Sequence, residues 1–244
     1  MAKSIFKTYD QYGTIDVLDD GNKRYLTFGN ADEQSLQVKA TPHIPQHEYG
    51  RAIMLSLLFC NPSTVCVMGL GGGTLTQAFI NALPQAEIHT VELRLMVIKV
   101  AKRFFQIDKQ AALNIHNENA HEFLTTTSLS FDLIVADLYD HNGIDEGQLQ
   151  QQFITDSANV LSNSGWLVLN YWLDHDLTES LLDQLNNQFE CIYICNSGGG
   201  NSIIYAGKMQ PSADYIDKQK IKFLAKRLGF SLNYYLKRLK AFTT

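Results

Sequence analysis

Covalent and metal constraints are scarce in this chain. It has four cysteines, none in CxxC spacing, and Cys60, Cys66, Cys191 and Cys195 sit mostly among apolar neighbours. That excludes a disulfide scaffold and a dithiol redox motif, and makes reduced, buried thiols in a cytoplasmic protein the expectation. The seven histidines are scattered, and His43 and His47 flank Pro45, which denies them a shared helical face, so no metal is expected. Long hydrophobic runs are missing as well. No stretch approaches the length of a membrane span, and Met1-Ala-Lys-Ser-Ile5 lacks the charged-then-apolar pattern of a signal peptide. Internal repeats and low-complexity segments are also lacking.

What is present suits a compact enzyme. At 244 residues and 45% hydrophobic, the chain can bury the core of one α/β domain with a small appendage. The net charge of −5 is uneven: residues 214–244 carry eight Lys/Arg against two Asp, so the remainder carries −11. A basic tail can bind nucleic acid, but apolar residues keep helical spacing through it. An amphipathic helical tail with Ile216, Ile221, Phe223, Leu224 and Leu228 facing inward is therefore expected, and no nucleic acid. The acidic body suits a cationic small molecule.

Residues 1–48 carry short strand-like runs, Thr14–Leu18, Arg24–Phe28 and Ser35–Val38, with Asp20-Gly21 as a hairpin signal. They are expected to form an antiparallel β unit beside a nucleoside-binding unit over residues 49–244. From Tyr49 to Phe59 the spacing is helical. Strand and helix then alternate, starting from Val65–Met68, Glu87–Glu92, Leu113–His116, Leu133–Ala136 and Trp166–Tyr171. Cys191–Cys195 and Ser202–Tyr205 read as a closing antiparallel pair, with Asn201 as a turn residue. The expectation is α/β: a doubly wound, mostly parallel, seven-stranded sheet with helices on both faces.

The most informative run is Val65-Cys-Val-Met-Gly69-Leu-Gly71-Gly72-Gly73-Thr74-Leu75. Glycines between a strand and a helix let the backbone approach a ligand at the helix start. About 20 residues on, Ile88–Glu92 is a second strand ending in an acid, at the interval where a ribose is usually gripped. A third apolar strand, Phe131 to Asp137, ends in another carboxylate. Glu92 reads as a ribose ligand or, alternatively, as a surface acid at a helix start. Asp137 should project into the crevice at the carboxyl edge of the sheet.

The order of these motifs resembles the spermidine synthase (polyamine aminopropyltransferase) family, built on the Rossmann-like fold of class I methyltransferases. The likeness runs through nearly the whole chain, including Tyr9–Gly21 and Gln34-Ser35. It implies that Gly69, Gly71, Gly73, Glu92, Asn119, Ala120 and Gln34 bind an S-adenosylmethionine-type donor, intact or decarboxylated. Asn119 would read adenine where the family usually has Asp; it reads equally as the cap of the helix at Ala120. The resemblance makes Asp137 the residue that orients and deprotonates the attacking amine. Asp140, with Asp145 and Glu146 behind it, would hold a distal ammonium or gate the pocket. Tyr49, Arg51 and Tyr139 fall among the substrate-binding positions, and Tyr139, Tyr171 and Trp172 read as stacking or as packing aromatics. A small amine or polyamine is the implied partner, and a homodimer or homotetramer the implied assembly.

Two departures concern the donor. The family carries an Asp for the donor's amine end where this chain has Gly72, a loss of roughly 1.5–3 kcal/mol of charge-assisted hydrogen bonding. Its Tyr-His-Glu stands altered as Tyr49-Gly50-Arg51, and Arg51 would attract the carboxylate of intact S-adenosylmethionine. Three functions follow: aminopropyl transfer, methyl transfer to an amine or other small molecule, and non-catalytic nucleoside or polyamine binding.

Overall fold

The computed structural model describes residues 2–29, 33–107, 113–140, 143–144, 146–172, 178–212 and 215–242. Strands β1 (Lys3–Asp10), β2 (Gly13–Asp19), β3 (Lys23–Thr27) and β4 (Glu33–Val38) pair in that order as an antiparallel sheet. The hairpin at Asp20-Gly21 forms as expected. Gly21 takes φ 96°, in the left-handed region glycine favours, and its N–H donates to Asp19 Oδ1 at 2.9 Å. Alternation in β2 turns Ile15 and Val17 inward, where they join Leu26.

Two short helices follow, α1 (Glu48–Ile53) and α2 (Ser56–Phe59), where the sequence predicted one continuous helix. The alternating part then runs β5 (Thr64–Met68), α3 (Thr74–Ala82), β6 (Glu87–Val91), α4 (Leu95–Phe104), β7 (Leu113–His116), α5 (Ala120–Thr126) and β8 (Phe131–Ala136). A two-residue ribbon, β9 (Tyr139–Asp140) with β10 (Gly143–Ile144), precedes α6 (Gln151–Val160). The chain closes with β11 (Leu161–Trp172), α7 (Glu179–Asn186), β12 (Cys191–Asn196), β13 (Asn201–Gly207), α8 (Lys218–Leu228), α9 (Asn233–Leu236) and β14 (Leu239–Phe242).

The large sheet has the order β14-β12-β13-β11-β8-β5-β6-β7. Strands β11, β8, β5, β6 and β7 pair in parallel; β13 is antiparallel to its neighbours on both sides. The expected seven strands are therefore eight. β14 adds to β12 with Ile192 opposite Phe242 and Cys195 opposite Leu239. Without it β12 would present an unpaired edge. The expected helical tail also ends early. Gly229, at φ 76°, closes α8 in a left-handed cap. Leu224 and Leu228 are buried, but Ile216 and Phe223 are exposed at 55% and 58%, against the inward facing expected for them.

Side-chain parity decides what each face of the sheet carries. Leu133 and Val135 of β8, Val168 of β11 and Ile203 and Tyr205 of β13 pack in one layer with α1, α2, α3 and α8. Ile134, Ala136, Leu167, Leu169 and Ile204 face the other way, toward α5, α6 and α7. The small sheet docks on α4, where Ile15, Val17 and Leu26 meet Val97, Val100 and Phe105.

Candidate active site

Asp137 follows β8 directly, one step beyond the last ladder pair, Ala136 with Leu169. That step puts it beside Asn170 on the α1 face. The buried Asn170 donates from Nδ2 to Asp137 Oδ1 at 2.7 Å, while the Asp137 amide is held by the Met68 carbonyl at 2.9 Å. Burial pushes the Asp137 carboxyl up to about 6, and the Asn170 hydrogen bond opposes that rise. Near neutrality the group is mostly ionised, yet basic enough to take a proton.

The Asn170 amide is itself held. Asn201 donates from Nδ2 to Asn170 Oδ1 at 2.9 Å and to the Tyr139 hydroxyl at 3.1 Å. Asn201 is thus no turn residue: it is buried, begins β13 and lies opposite Trp172. Burial and the neighbouring Asp137 both push the Tyr139 phenol up. Asn170 is not singled out by the sequence, and Asn201 reads there only as a turn residue. The available signal was a polar side chain inside Leu167-Val-Leu-Asn170-Tyr-Trp172, at the parity and edge already occupied by Asp137.

The glycine turn joins β5 to α3 with Gly69, Gly71 and Gly73 at φ 92°, 51° and 74°. All five turn amides are engaged inside the protein. Gly69 N donates to Val91 O at 2.9 Å and Gly73 N to Leu70 O at 2.7 Å. Leu70 N donates to Glu92 Oε2 at 3.0 Å, and the Gly71 amide also serves Glu92. Gly72 N donates to Ser35 Oγ of β4 at 2.8 Å. Glu92 directly follows β6, is 9% exposed, and accepts from Arg94 N through Oε1 at 2.9 Å. Burial raises its pKa, and the amides of Arg94, Leu70 and Gly71 work against that rise. Glu92 is no surface acid. It braces the turn, and the three amides leave about one of its four lone-pair sites.

Asn119 caps α5, its Oδ1 accepting from His121 N (2.8 Å) and Glu122 N (3.4 Å), so Nδ2 is the part left to meet a base edge. Ala120 is buried as the first helical residue, whose N–H has no intrahelical partner. Gln34 is half-buried on β4, beside the Ser35 that reaches the glycine turn. Tyr49 stacks on His47 with centroids 5.4 Å apart.

Arg51 is anchored within the fold. Its Nε donates to Pro45 O at 2.7 Å, its guanidinium lies 5.4 Å from the Phe230 centroid, and Glu48 Oε1 stands 3.7 Å away. Glu48 Oε2 accepts from the Tyr235 hydroxyl at 2.7 Å, which ties α1 to α9. Tyr171 is a packing residue, buried on the far face. Asp145 lies outside the described residues, as do the side chains of Asp140, Glu146 and Trp172. Among the described residues no three His, Cys, Asp or Glu side chains group as a metal site, and no helix is long and apolar enough to cross a membrane.

Comparison with known proteins gives a consistent result. Residues 43–196 match the spermine/spermidine synthase domain family. A polyamine aminopropyltransferase of Chromobacterium violaceum is 27% identical over 232 residues, covering 93% of this chain and 89% of that one. An eEF1A lysine and N-terminal methyltransferase of Mus musculus is 25% identical over 162 residues, covering 61% of this chain and 23% of that one. Among solved structures, a probable spermidine synthase from Corynebacterium glutamicum superposes with TM-score 0.76 at 18% identity, over 99% of this chain and 90% of that one. A spermidine synthase bound to the transition-state analogue AdoDATO gives 0.75 at 17% identity, over 96% and 84%.

Proposed function

The chain belongs to the spermine/spermidine synthase domain family, a family of transferases, and from that premise we propose that it moves an alkyl group from an S-adenosylmethionine-type donor to a small amine. Asp137 carries this reading. It is a shielded carboxyl at the carboxyl edge of the sheet, held by one amide and with its pKa pushed up to about 6. The same reading divides the chain into a β unit over residues 1–48 and a donor-binding unit over residues 49–244.

The residues fit the donor. Glu92 would accept a ribose hydroxyl with the lone-pair site that the Leu70, Gly71 and Arg94 amides do not use, and Asn119 Nδ2 would donate to the adenine edge. Gly69 and Gly71 hold backbone angles that let the turn run under the nucleoside. Gln34, next to Ser35 on β4, would reach the same donor. When bound, the donor supplies a carbon activated by its sulfonium.

Asp137 then acts on the amine. An ammonium has no lone pair, so the carboxylate first binds it and then accepts one proton; the freed pair forms the new N–C bond as the C–S pair returns to sulfur. The transfer is thereby balanced without an added reactant. Tyr139, Tyr49 and Asp140 would line the acceptor's path.

We read the transferred group as aminopropyl. A donor carboxylate would need a partner at the turn or at Arg51, but the turn amides are engaged and the Arg51 guanidinium is committed to Pro45, Glu48 and Phe230. Methyl transfer is the second reading, favoured by Gly72, which leaves the donor's amine end without its usual acid. Calorimetric titration with both donors, followed by product analysis with putrescine, tests the choice. Methylthioadenosine supports aminopropyl transfer and S-adenosylhomocysteine supports methyl transfer. Donor binding without either product leaves a binding protein.

A further inference from the structure

The hydrogen bonds of Asn201 have a consequence for the proposed base. Asn170 and Asn201 stand on adjacent antiparallel strands. Ladder pairing of Asn170 with Ile203, and of Trp172 with Asn201, makes the two asparagines diagonal neighbours on one face. Both are buried, at 0% and 5% exposure. A buried asparagine amide has two distinguishable ends, and rotating it by half a turn swaps an acceptor for a donor at each. Asn170 must present its N–H end to Asp137, because an ionised carboxylate only accepts.

That orientation is secured from the opposite end. Asn201 Nδ2 places one hydrogen on Asn170 Oδ1 and the other on the Tyr139 hydroxyl, so the Asn170 oxygen is locked toward β13. A flipped Asn170 would set two amide groups N–H to N–H and turn its oxygen onto Asp137.

We propose that Asn201 is a positioning residue for the transfer, acting through Asn170: it fixes the amide that holds Asp137 Oδ1 and so reserves Oδ2 for the amine. Tyr139 ties the same relay to the β9–β10 ribbon. The assignment of Asp137 as base rests on the transferase reading, whereas the relay itself does not require turnover to be observed.

Carboxyl 13C NMR of the whole protein, with the Asp137 signal assigned by its loss in Asp137→Asn, decides the matter. Asn170→Leu removes the donor and should raise the Asp137 midpoint by roughly half to one pH unit. Asn201→Leu should raise it in the same direction although it touches no Asp137 atom. Tyr139→Phe, which keeps the Asn201–Asn170 bond, should move it less. A folded Asn201→Leu protein with the wild-type midpoint would overturn the proposal. Should that variant not fold, the wild type still answers. The side-chain NH2 signals of both Asn170 and Asn201 should follow the Asp137 titration, and an Asn201 amide that ignores it overturns the relay. In turnover assays the Asn201→Leu defect should fall on kcat, with the acid limb moved to higher pH and the donor KM little changed. Wild-type protein without turnover would defeat the transferase reading while leaving the NMR result to stand or fall by itself.

Discussion

A Cβ placed on Gly69 would fall 2.3 Å from the carbonyl oxygen of Asp137. The glycine that begins the donor turn and the proposed base are therefore packed backbone to backbone, across the ends of the neighbouring strands β5 and β8. Gly69 also holds φ 92°. Gly69→Ala should displace the Asp137 segment and cost about 2–4 kcal/mol, combining backbone strain with overpacking. Urea unfolding measures the loss, which should exceed that of Gly200→Ala. Gly200 has a comparable φ of 91° but nothing within 4 Å of its Cβ.

Glu92→Ala should weaken donor binding and fold together. It removes the acceptor for the Leu70, Gly71 and Arg94 amides as well as the proposed ribose ligand. The loss in binding should be on the order of 1.5–3 kcal/mol by calorimetry, with a lowered Tm beside it. Unchanged affinity would remove Glu92 from the donor site.

Asp137→Asn should stop turnover and stabilise the protein at neutral pH. Burial raises this carboxyl from 3.8 to about 6, so the unfolded state sheds its proton first and stability is lost as pH rises between those values. Asparagine avoids that cost while still accepting from Asn170. The gain should be about 1–3 kcal/mol above pH 6 and vanish near pH 4. A destabilised variant at neutral pH would count against the raised pKa.

His89 Nδ1 and His116 Nε2 lie 2.9 Å apart in a stacked pair between β6 and β7, and burial with its neighbour lowers the His116 pKa. The unfolded chain therefore takes up a proton below about pH 6.5 that the folded His116 resists, and stability falls as pH drops through that value. His116→Gln should flatten the decline of Tm between about pH 7 and pH 5.5, by under about 1 kcal/mol because the site is partly screened. An unchanged slope would acquit the pair.

Gly72→Asp should fail through packing. Its Cβ would stand 2.9 Å from Ser35 Cβ and 3.1 Å from the Phe105 ring, while its φ lies outside the left-handed region. We expect the variant to lose about 1–3 kcal/mol and Ser35→Gly to restore part of it. Only in the double variant is a shift in donor preference interpretable.

The sequence alone determined the alternating architecture, because apolar period and glycine punctuation are local properties that survive without tertiary context. It also determined that Glu92 and Asp137 would stand at one edge of the sheet, since both close apolar strands that run parallel. It did not determine the eighth strand, for Leu239–Phe242 is a short polar-interrupted run whose partner, β12, lies far back in the chain. The positions of Phe223 and Ile216 went the same way: helical spacing places a residue on a face, but only the neighbouring elements decide which face is covered. Arg51 could be matched to a motif, yet its direction depends on Pro45, Glu48 and Phe230, and Phe230 is nearly 180 residues away. The amide that holds Asp137 comes from β11 and the amide that holds that one from β13, brought together by an antiparallel closure. Strand periodicity predicts that such residues are buried; the ladder register alone decides that they touch.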